Sequence, residues 1–360
     1  MRAACKCISK KNLQHNLNTL ADLAPNSRCV AVIKANAYGC EATQVLDALG
    51  RADLFATATI EEALALRQAG AAKSILLLEG AFESRDVALS FSNGFELVVA
   101  TPQQLDWLIQ FDRCFERLWF KLDTGMGRLG FQRHDAHQAM KQLLSRYAQE
   151  KIVIMTHFSD SDSPNRRITQ TQIDRFDAFA KNYPDCQHSL SNSAGILAYP
   201  NAHRDYIRPG IALYGASPFA GYLGEDHDLR PVMTLRTRVL SVKSFAAGQA
   251  IGYGQTYRLP ETGRIAICEV GYADGYSRFI PSGAPILIDG REYAIAGRVA
   301  MDMIAVAVDK QVKVGDEVVC WGTSYNGVNL PIERVCQAAQ TIPHQLLTTV
   351  TERPKKLIIE

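Results

Sequence analysis

Four stretches of this 360-residue chain combine side chains able to do chemistry with glycines that let the backbone bend around a ligand. In the first, an apolar run over 29–33 reads as a strand buried on both faces, and it stops at Lys34. A lone lysine in that place would simply open a loop and snorkel to water. Here an aromatic hydroxyl follows four residues later at Tyr38, then Gly39, then a helical pattern over 41–49. Together they suit an amine aimed into a pocket that also holds an anion. A desolvated lysine amine forms Schiff bases with carbonyl compounds, and pyridoxal 5'-phosphate supplies both the aldehyde and the anion.

The second stretch, 121–130, runs from Lys121 through Asp123, Gly125, Gly127 and Arg128 to Gly130. Three glycines in six positions allow close approach of backbone to a ligand, with a guanidinium among them. Arginine suits a carboxylate or phenolate because it stays charged and presents a rigid fork of donors. The third, 206–215, carries Arg208-Pro209-Gly210-Ile211, which taken alone is only a turn. The fourth, 251–257, places Tyr253 between Gly252 and Gly254, the usual mark of a tight bend with an exposed ring.

Taken together, these motifs resemble the alanine racemase family of pyridoxal-phosphate enzymes, and the resemblance spans almost the whole chain. It implies that Lys34 holds the cofactor and acts as one catalytic base. Tyr253 would be the second base, delivered from a partner subunit to the opposite face of a planar intermediate. A tyrosine pKa is normally near 10, so cations such as Arg128 would have to ease its deprotonation. The resemblance gives Arg128 to the cofactor's phenolic oxygen and the substrate carboxylate, and Arg208 to the pyridine nitrogen. His157 would pack on the ring. The phosphate would be met by the Gly210 and Ile211 amides and by the hydroxyls of Ser193 and Tyr38. Met301 would lie near the substrate carboxylate, beside entrance loops at 271–276 and 297–303. Lys121 matches a lysine that many members carry as a carbamate, an anion that would hold Arg128. One position departs from the family: a tyrosine is common where this chain has His344. Histidine is shorter and able to carry a positive charge, so it would keep a phosphate contact while widening the entrance. Activity on serine is then open beside alanine.

The elements that must position these residues follow from pattern. Apolar segments at 29–33, 53–58, 74–78, 95–99, 118–122, 152–155, 187–190 and 206–208 alternate with amphipathic stretches such as 61–70, 102–110, 134–148 and 166–182. Thr101-Pro102 is a helix start, and Gly50 and Gly70 serve as helix stops. Eight alternations point to an α/β fold, an N-terminal (β/α)8 TIM-type barrel with an open doubly wound sheet as the alternative. In a barrel, Lys34, Lys121, His157, Ser193 and Arg208 all fall at the carboxyl ends of strands. After about residue 228 the pattern becomes short alternating strands separated by turns, a mostly β C-terminal domain with one helix at 332–340. The expected division is a barrel over 8–228 and a β domain over 229–360 joined by 1–7.

Composition narrows the partners. There are 39 basic and 37 acidic residues, well mixed, for a formal charge of +2. That balance offers no footprint for nucleic acid or membrane. No apolar run approaches 18 residues, and the N-terminus lacks the apolar centre of a signal peptide. Nine scattered cysteines, of which only Cys5 and Cys7 are close, fit reduced thiols in a cytoplasm and no metal site. The resulting expectation is a cytoplasmic homodimer that interconverts L- and D-alanine, supplying D-alanine for the cell wall or degrading it. Two readings compete with it. A non-catalytic pyridoxal-phosphate carrier would leave Tyr253 and the β domain without a purpose. A decarboxylase of the same barrel class would need an acidic partner for the ring nitrogen, where this chain has Arg208.

Overall fold

A computed structural model describes residues 2–360; residue 1, assigned above with 2–7 to the β domain, lies outside them. Strand β1 (Cys5–Ser9) is followed by eight parallel strands: β2 (Arg28–Val32), β3 (Leu54–Thr57), β4 (Ser74–Leu77), β5 (Phe95–Val99), β6 (Leu118–Lys121), β7 (Ile152–Met155), β8 (Gln187–Ser189) and β9 (Tyr206–Ile207). These eight form a closed barrel, so the open sheet is excluded. Closure is made by β9 returning to β2, with Arg28 opposite Tyr206 and Cys29 opposite Ile207. Strands walled on both sides need apolar residues at consecutive positions, and β4 through β7 are buried almost throughout.

The surrounding helices start where their caps dictate. Thr59 and Glu62 form a reciprocal capping box for Ile60–Gln68. Thr101 caps Pro102–Gln110, with proline in the first turn. Gly70 adopts φ +92° just past its helix as expected, but Gly50 stays right-handed and stops nothing by a left-handed turn. The helix expected over 41–49 is instead two 3-10 turns, Ala42–Gln44 and Leu46–Leu49. The α-helices Lys10–Asp22, Ser84–Ser92 and Ser193–Ala198 were not legible as such, and the β domain holds a second helix, Pro343–Thr348, after the expected one at Ile332–Ala339.

The rest of the chain is β10 (Met233–Phe245), β11 (Ala250–Ile251), β12 (Tyr257–Arg258), β13 (Gly263–Cys268), β14 (Pro285–Ile288), β15 (Arg291–Ile295), β16 (Ile304–Val308), β17 (Glu317–Thr323), β18 (Asn329–Leu330) and β19 (Lys355–Ile359). The long β10 pairs with both β13 and β17, which closes a ring through β14, β15 and β16. β1 lies antiparallel to β10 and parallel to β19, so both chain ends join this sheet. β11 and β12 form a separate two-stranded ribbon seated on a small cluster of Ile251, Leu259, Ile265 and Ala296. Among the described residues no helix is long and apolar enough to cross a membrane.

Candidate active site

The carboxyl ends of the barrel strands open into a cavity of about 910 Å³. Lys34, Tyr38, Lys121, Arg128, His157, Ser193, Arg208, Gly210 and Ile211 all line it. Ten or more residues separate most of them in sequence, and the closed barrel is what brings them to one rim.

The turn that follows Lys34 is the least expected element. Ala35, Asn36, Ala37 and Tyr38 all have φ between 51° and 54°, and Gly39 has φ 79°. This is one turn of left-handed helix, closed by Ala37 N–H to Ile33 O and Gly39 N–H to Ala35 O, both 2.9 Å. Each L-residue in that region costs about 1–2 kcal/mol, so the surroundings must impose it. Glu62 accepts from the Ala35 amide at 2.6 Å and from the Ala58 amide at 2.9 Å. Asn36 Oδ1 accepts from the Ala42 amide at 2.9 Å. The Tyr38 ring is buried against Tyr214, 4.6 Å between centroids, and Tyr214 donates its hydroxyl to Val32 O at 2.8 Å. Burial pushes the Tyr38 phenol up to about 12, so it is a neutral donor.

Close to the Tyr38 hydroxyl, Ser193 Oγ accepts from the Gly210 amide at 2.9 Å and the Ala212 amide at 3.2 Å. A hydroxyl that accepts twice keeps its own proton for a further acceptor. A Cβ added to Gly210 would come within 2.7 Å of the Tyr38 hydroxyl and 3.9 Å of Ser193 Oγ. Glycine thus keeps open a cradle between two hydroxyl donors, of the kind a phosphate oxygen fills.

Positive charge gathers along the rim. Arg208 is fully buried and donates to Ser189 Oγ at 2.6 Å, Thr156 O at 2.6 Å and Leu190 O at 3.2 Å. Desolvation lowers it to about 10, still protonated at neutral pH. Desolvation and the neighbouring Arg208 and Arg128 bring Lys121 down to about 8. The same causes, burial first and then Arg208, hold His157 well below its usual range, so its ring is neutral. Glu79 and Asp162 are the acids lining the cavity, fewer than the four cations Lys34, Lys121, Arg128 and Arg208. An excess of cations in a walled site favours anionic ligands. With the cradle at Gly210, this donor set fits the phosphate and phenolic oxygen of pyridoxal phosphate together with a carboxylate.

Two expectations change here. Gly125 and Gly127 do not offer their amides to a ligand: Asp123 Oδ1 accepts from the Gly125, Met126 and Gly127 amides at 2.9, 2.9 and 3.1 Å. Their role is to adopt positive φ so the loop folds round that carboxylate and returns to Phe131, which pairs with Leu122. His344 lines the cavity 5.7 Å from the Tyr38 ring, but it is not poised to be a cation. Burial and Lys34 lower its pKa, outweighing the pull of Asp162, so it meets the cavity as a neutral ring.

Tyr253 and Met301 do not join the cavity within this chain. Tyr253 sits in a 3-10 turn between β11 and β12, flanked by Gly252 at φ 71° and Gly254 at φ 68°, and is 66% exposed. Met301 is 52% exposed on a loop stitched to 271–276 by Tyr272 N–H to Ala300 O and Ala273 N–H to Met301 O, both 3.1 Å. Under these loops lies Asp274, fully buried and paired with Arg2 at 2.8 Å and Arg353 at 2.7 Å. Sequence reasoning missed Glu62, Asp123 and Asp274. Glu62 serves the nearby Ala58 amide and the distant Ala35 amide, Asp123 the amides just after it, and Asp274 distant arginines; only a capping pattern at Glu62 could have flagged one of them.

The architecture and the lysine-ended strand define a (β/α)8 barrel enzyme carrying a C-terminal β domain. Two family models match, the alanine racemase N-terminal domain over 8–218 and the alanine racemase C-terminal domain over 232–358. The chain belongs to the alanine racemase family, whose members are isomerases. The alanine racemase of Yersinia pestis bv. Antiqua (strain Angola) is 43% identical over 358 residues, 98% of each chain. The biosynthetic alanine racemase of Shigella sonnei is 40% identical over 98% of each. Among solved structures, the biosynthetic alanine racemase of Pseudomonas aeruginosa superposes with a TM-score of 0.95 at 36% identity, covering 100% of both chains. That of Acinetobacter baumannii gives 0.94 at 36% identity, covering 99% of this chain and 100% of the other.

Proposed function

We propose that this chain interconverts L- and D-alanine with pyridoxal 5'-phosphate, in the cytoplasm, as a homodimer. The observation that carries the reading is the convergence of Lys34 with Tyr38, Ser193, Arg128 and Arg208 around one cation-rich cavity. When bound, the cofactor joins the substrate amine through its aldehyde and acidifies the α-carbon proton.

The protein's own groups do the rest. Tyr38 and Ser193 donate to the phosphate beside the Gly210 and Ile211 backbone. Arg128 orients the substrate carboxylate and the phenolic oxygen. Arg208 presents only donors, so a ring nitrogen facing it stays unprotonated, which limits electron withdrawal and discourages transamination. His157, neutral, stacks without adding charge. Inverting a stereocentre needs proton transfer at both faces of the α-carbon. Lys34 serves one face and the partner subunit's Tyr253 the other, with Met301 near the carboxylate. The exposure of Tyr253 and Met301 on adjoining loops supports such a handover between subunits. Lys121, lowered to about 8, is roughly one-tenth neutral amine at pH 7, enough to take up carbon dioxide as a carbamate and give Arg128 an anionic partner. The functional division follows 8–228 for the barrel and 229–360 with 1–7 for the β domain. D-Alanine for the cell wall is the role proposed from the biosynthetic relatives.

A broader racemase that also accepts serine is the second reading, favoured by His344 at the cavity wall. The test is chiral analysis of product from purified protein with added cofactor and a panel of L-amino acids. D-Alanine is expected as the dominant product. A coloured, cofactor-bound protein that inverts none of them would leave a carrier instead.

A further inference from the structure

A buried ion triad that the chemistry above does not use ties the strained turn after Lys34 to the β domain. Glu41 follows Gly39 by two residues and has φ 64° and ψ 69°, a conformation glycine reaches far more readily. The position nevertheless holds a glutamate that is only 4% exposed. Its carboxylate accepts from Lys6 Nζ at 2.6 Å and from Lys356 Nζ at 3.0 Å, and Lys6 is itself 1% exposed. Lys6 on β1 and Lys356 on β19 are register partners in a parallel pair, so both ammonium groups leave the same face of the sheet. Taking such a pair out of water largely cancels the attraction gained, so the triad is a weak source of stability and a strong geometric constraint. The other end of the turn is fixed from the barrel side, by Glu62 on the Ala35 amide. In between, a Cβ on Gly39 would come within 2.5 Å of Leu347 O, so the β domain's last helix also presses on the turn.

We propose that Lys6, Glu41 and Lys356 are positioning residues: through β1 and β19 they clamp the segment after Lys34 in its left-handed conformation and so set the direction of the Lys34 amine. A residue accepts an unfavourable backbone region where the surroundings over-determine it, and here the over-determining group is its own carboxylate.

Hydrogen–deuterium exchange of the intact, cofactor-loaded protein tests the clamp. In Glu41→Gln, peptides covering 34–45 should exchange at least tenfold faster than in the wild type, while those covering Ile304–Val308 stay unchanged. Lys356→Met removes one of the two lysines from Glu41, together with an exposed pair to Glu352, at a partly exposed edge position and should give about a threefold local rise; if Glu41→Gln does not fold, this variant decides by the same criterion. Unchanged exchange at 34–45, or an equal rise at Ile304–Val308, would overturn the clamp. As a second readout, the dissociation constant for pyridoxal phosphate, followed by visible absorbance, should rise about tenfold in Glu41→Gln. An unchanged constant would refute the aiming of Lys34. That readout rests on Lys34 as the cofactor lysine; the exchange readout does not. Neither requires alanine turnover, so a wild-type protein that fails to racemise alanine would sink the functional reading and leave the clamp to be judged separately.

Discussion

The two proposed bases occupy opposite surroundings. Lys34 stands half-buried in a cavity built by eight strand ends, its turn fastened on several sides. Tyr253 rides the tip of a two-stranded ribbon, two-thirds exposed, with a flexible residue on either side. One half of the proposed site is assembled by the fold of a single chain; the other is displayed outward, away from that cavity. The contrast teaches that the barrel gathers charge into a walled cavity, while the β domain displays the other proposed base to its surroundings.

The largest expected effect falls on the assembled half. Lys34→Ala should lower D-alanine formation by at least about 10³-fold, since both the cofactor anchor and one base are lost. Circular dichroism should be unchanged. Residual turnover above a tenth of wild type would break the comparison at once. On the displayed half, Tyr253→Phe should cost about 10²-fold, within the usual range for a general acid–base group. The equilibrium constant obliges kcat/KM to fall equally in both directions, so direction must be read from isotopes. With Tyr253 acting on the L isomer, α-deuterated L-alanine should show a large primary effect in the variant and α-deuterated D-alanine a small one. Equal effects would remove Tyr253 from that role.

The same contrast governs what the sequence disclosed. The continuous apolar run 152–155 coincides with β7, because a strand walled on both faces favours apolar residues; in β5 the run is broken by Glu96, which stays buried because Trp119 Nε1 donates to it at 2.6 Å. Lys34, Lys121 and His157 stood out as they follow or end such runs, whereas Ser193 and Arg208, which come after the polar Gln187–Ser189 and the two-residue Tyr206–Ile207, were expected from the family resemblance. The left-handed turn was not. Ala35, Ala37 and Tyr38 carry no preference for positive φ, and the turn is held by Glu62 and Tyr214 from distant parts of the chain. The ribbon β11–β12 was missed because two residues per strand show no period, and β19 because its Lys355-Lys356 start masks an edge strand. The purpose of Asp123 was hidden by geometry: one carboxylate gathering three amides leaves no spacing rule to recognise.

Lys121 sharpens the comparison from the side of stability. Its folded pKa, about 8, lies below the ordinary lysine value, so between these two values the unfolded chain binds the extra proton. Stability of the ligand-free protein should therefore rise as pH climbs from about 8 to 10.4, by up to about 3 kcal/mol at 1.36 kcal/mol per unit. The penalty is fully present below about 8. Urea unfolding at pH 8 and 9.5 should show this rise in the wild type and a smaller one in Lys121→Met, which should also be the more stable protein at pH 7. If the two profiles run parallel, Lys121 does not bear the charge crowding assigned to it. Bicarbonate added at pH 8 should stabilise the wild type alone, because a carbamate replaces the disfavoured cation by an anion beside Arg128.

The smallest effect probes the cradle. In Gly210→Ala the new methyl would lie within 2.7 Å of the Tyr38 hydroxyl, on a ring packed against Tyr214, so the hydroxyl or the loop must shift. The backbone at Gly210 has φ −116° and ψ −101°, outside the main basins of an L-residue, so some loss of stability should accompany the displaced donors. Affinity for pyridoxal phosphate, measured by titration of the ligand-free protein, should fall about three- to tenfold, worth about 0.7–1.4 kcal/mol, while affinity for pyridoxal without the phosphate stays unchanged. Tyr38→Phe removes the atom that the methyl strikes, so the double variant should bind no more weakly than Tyr38→Phe alone. Additive losses would mean that Gly210 and the Tyr38 hydroxyl act on separate parts of the ligand, and the anion would then have to be met elsewhere on the rim.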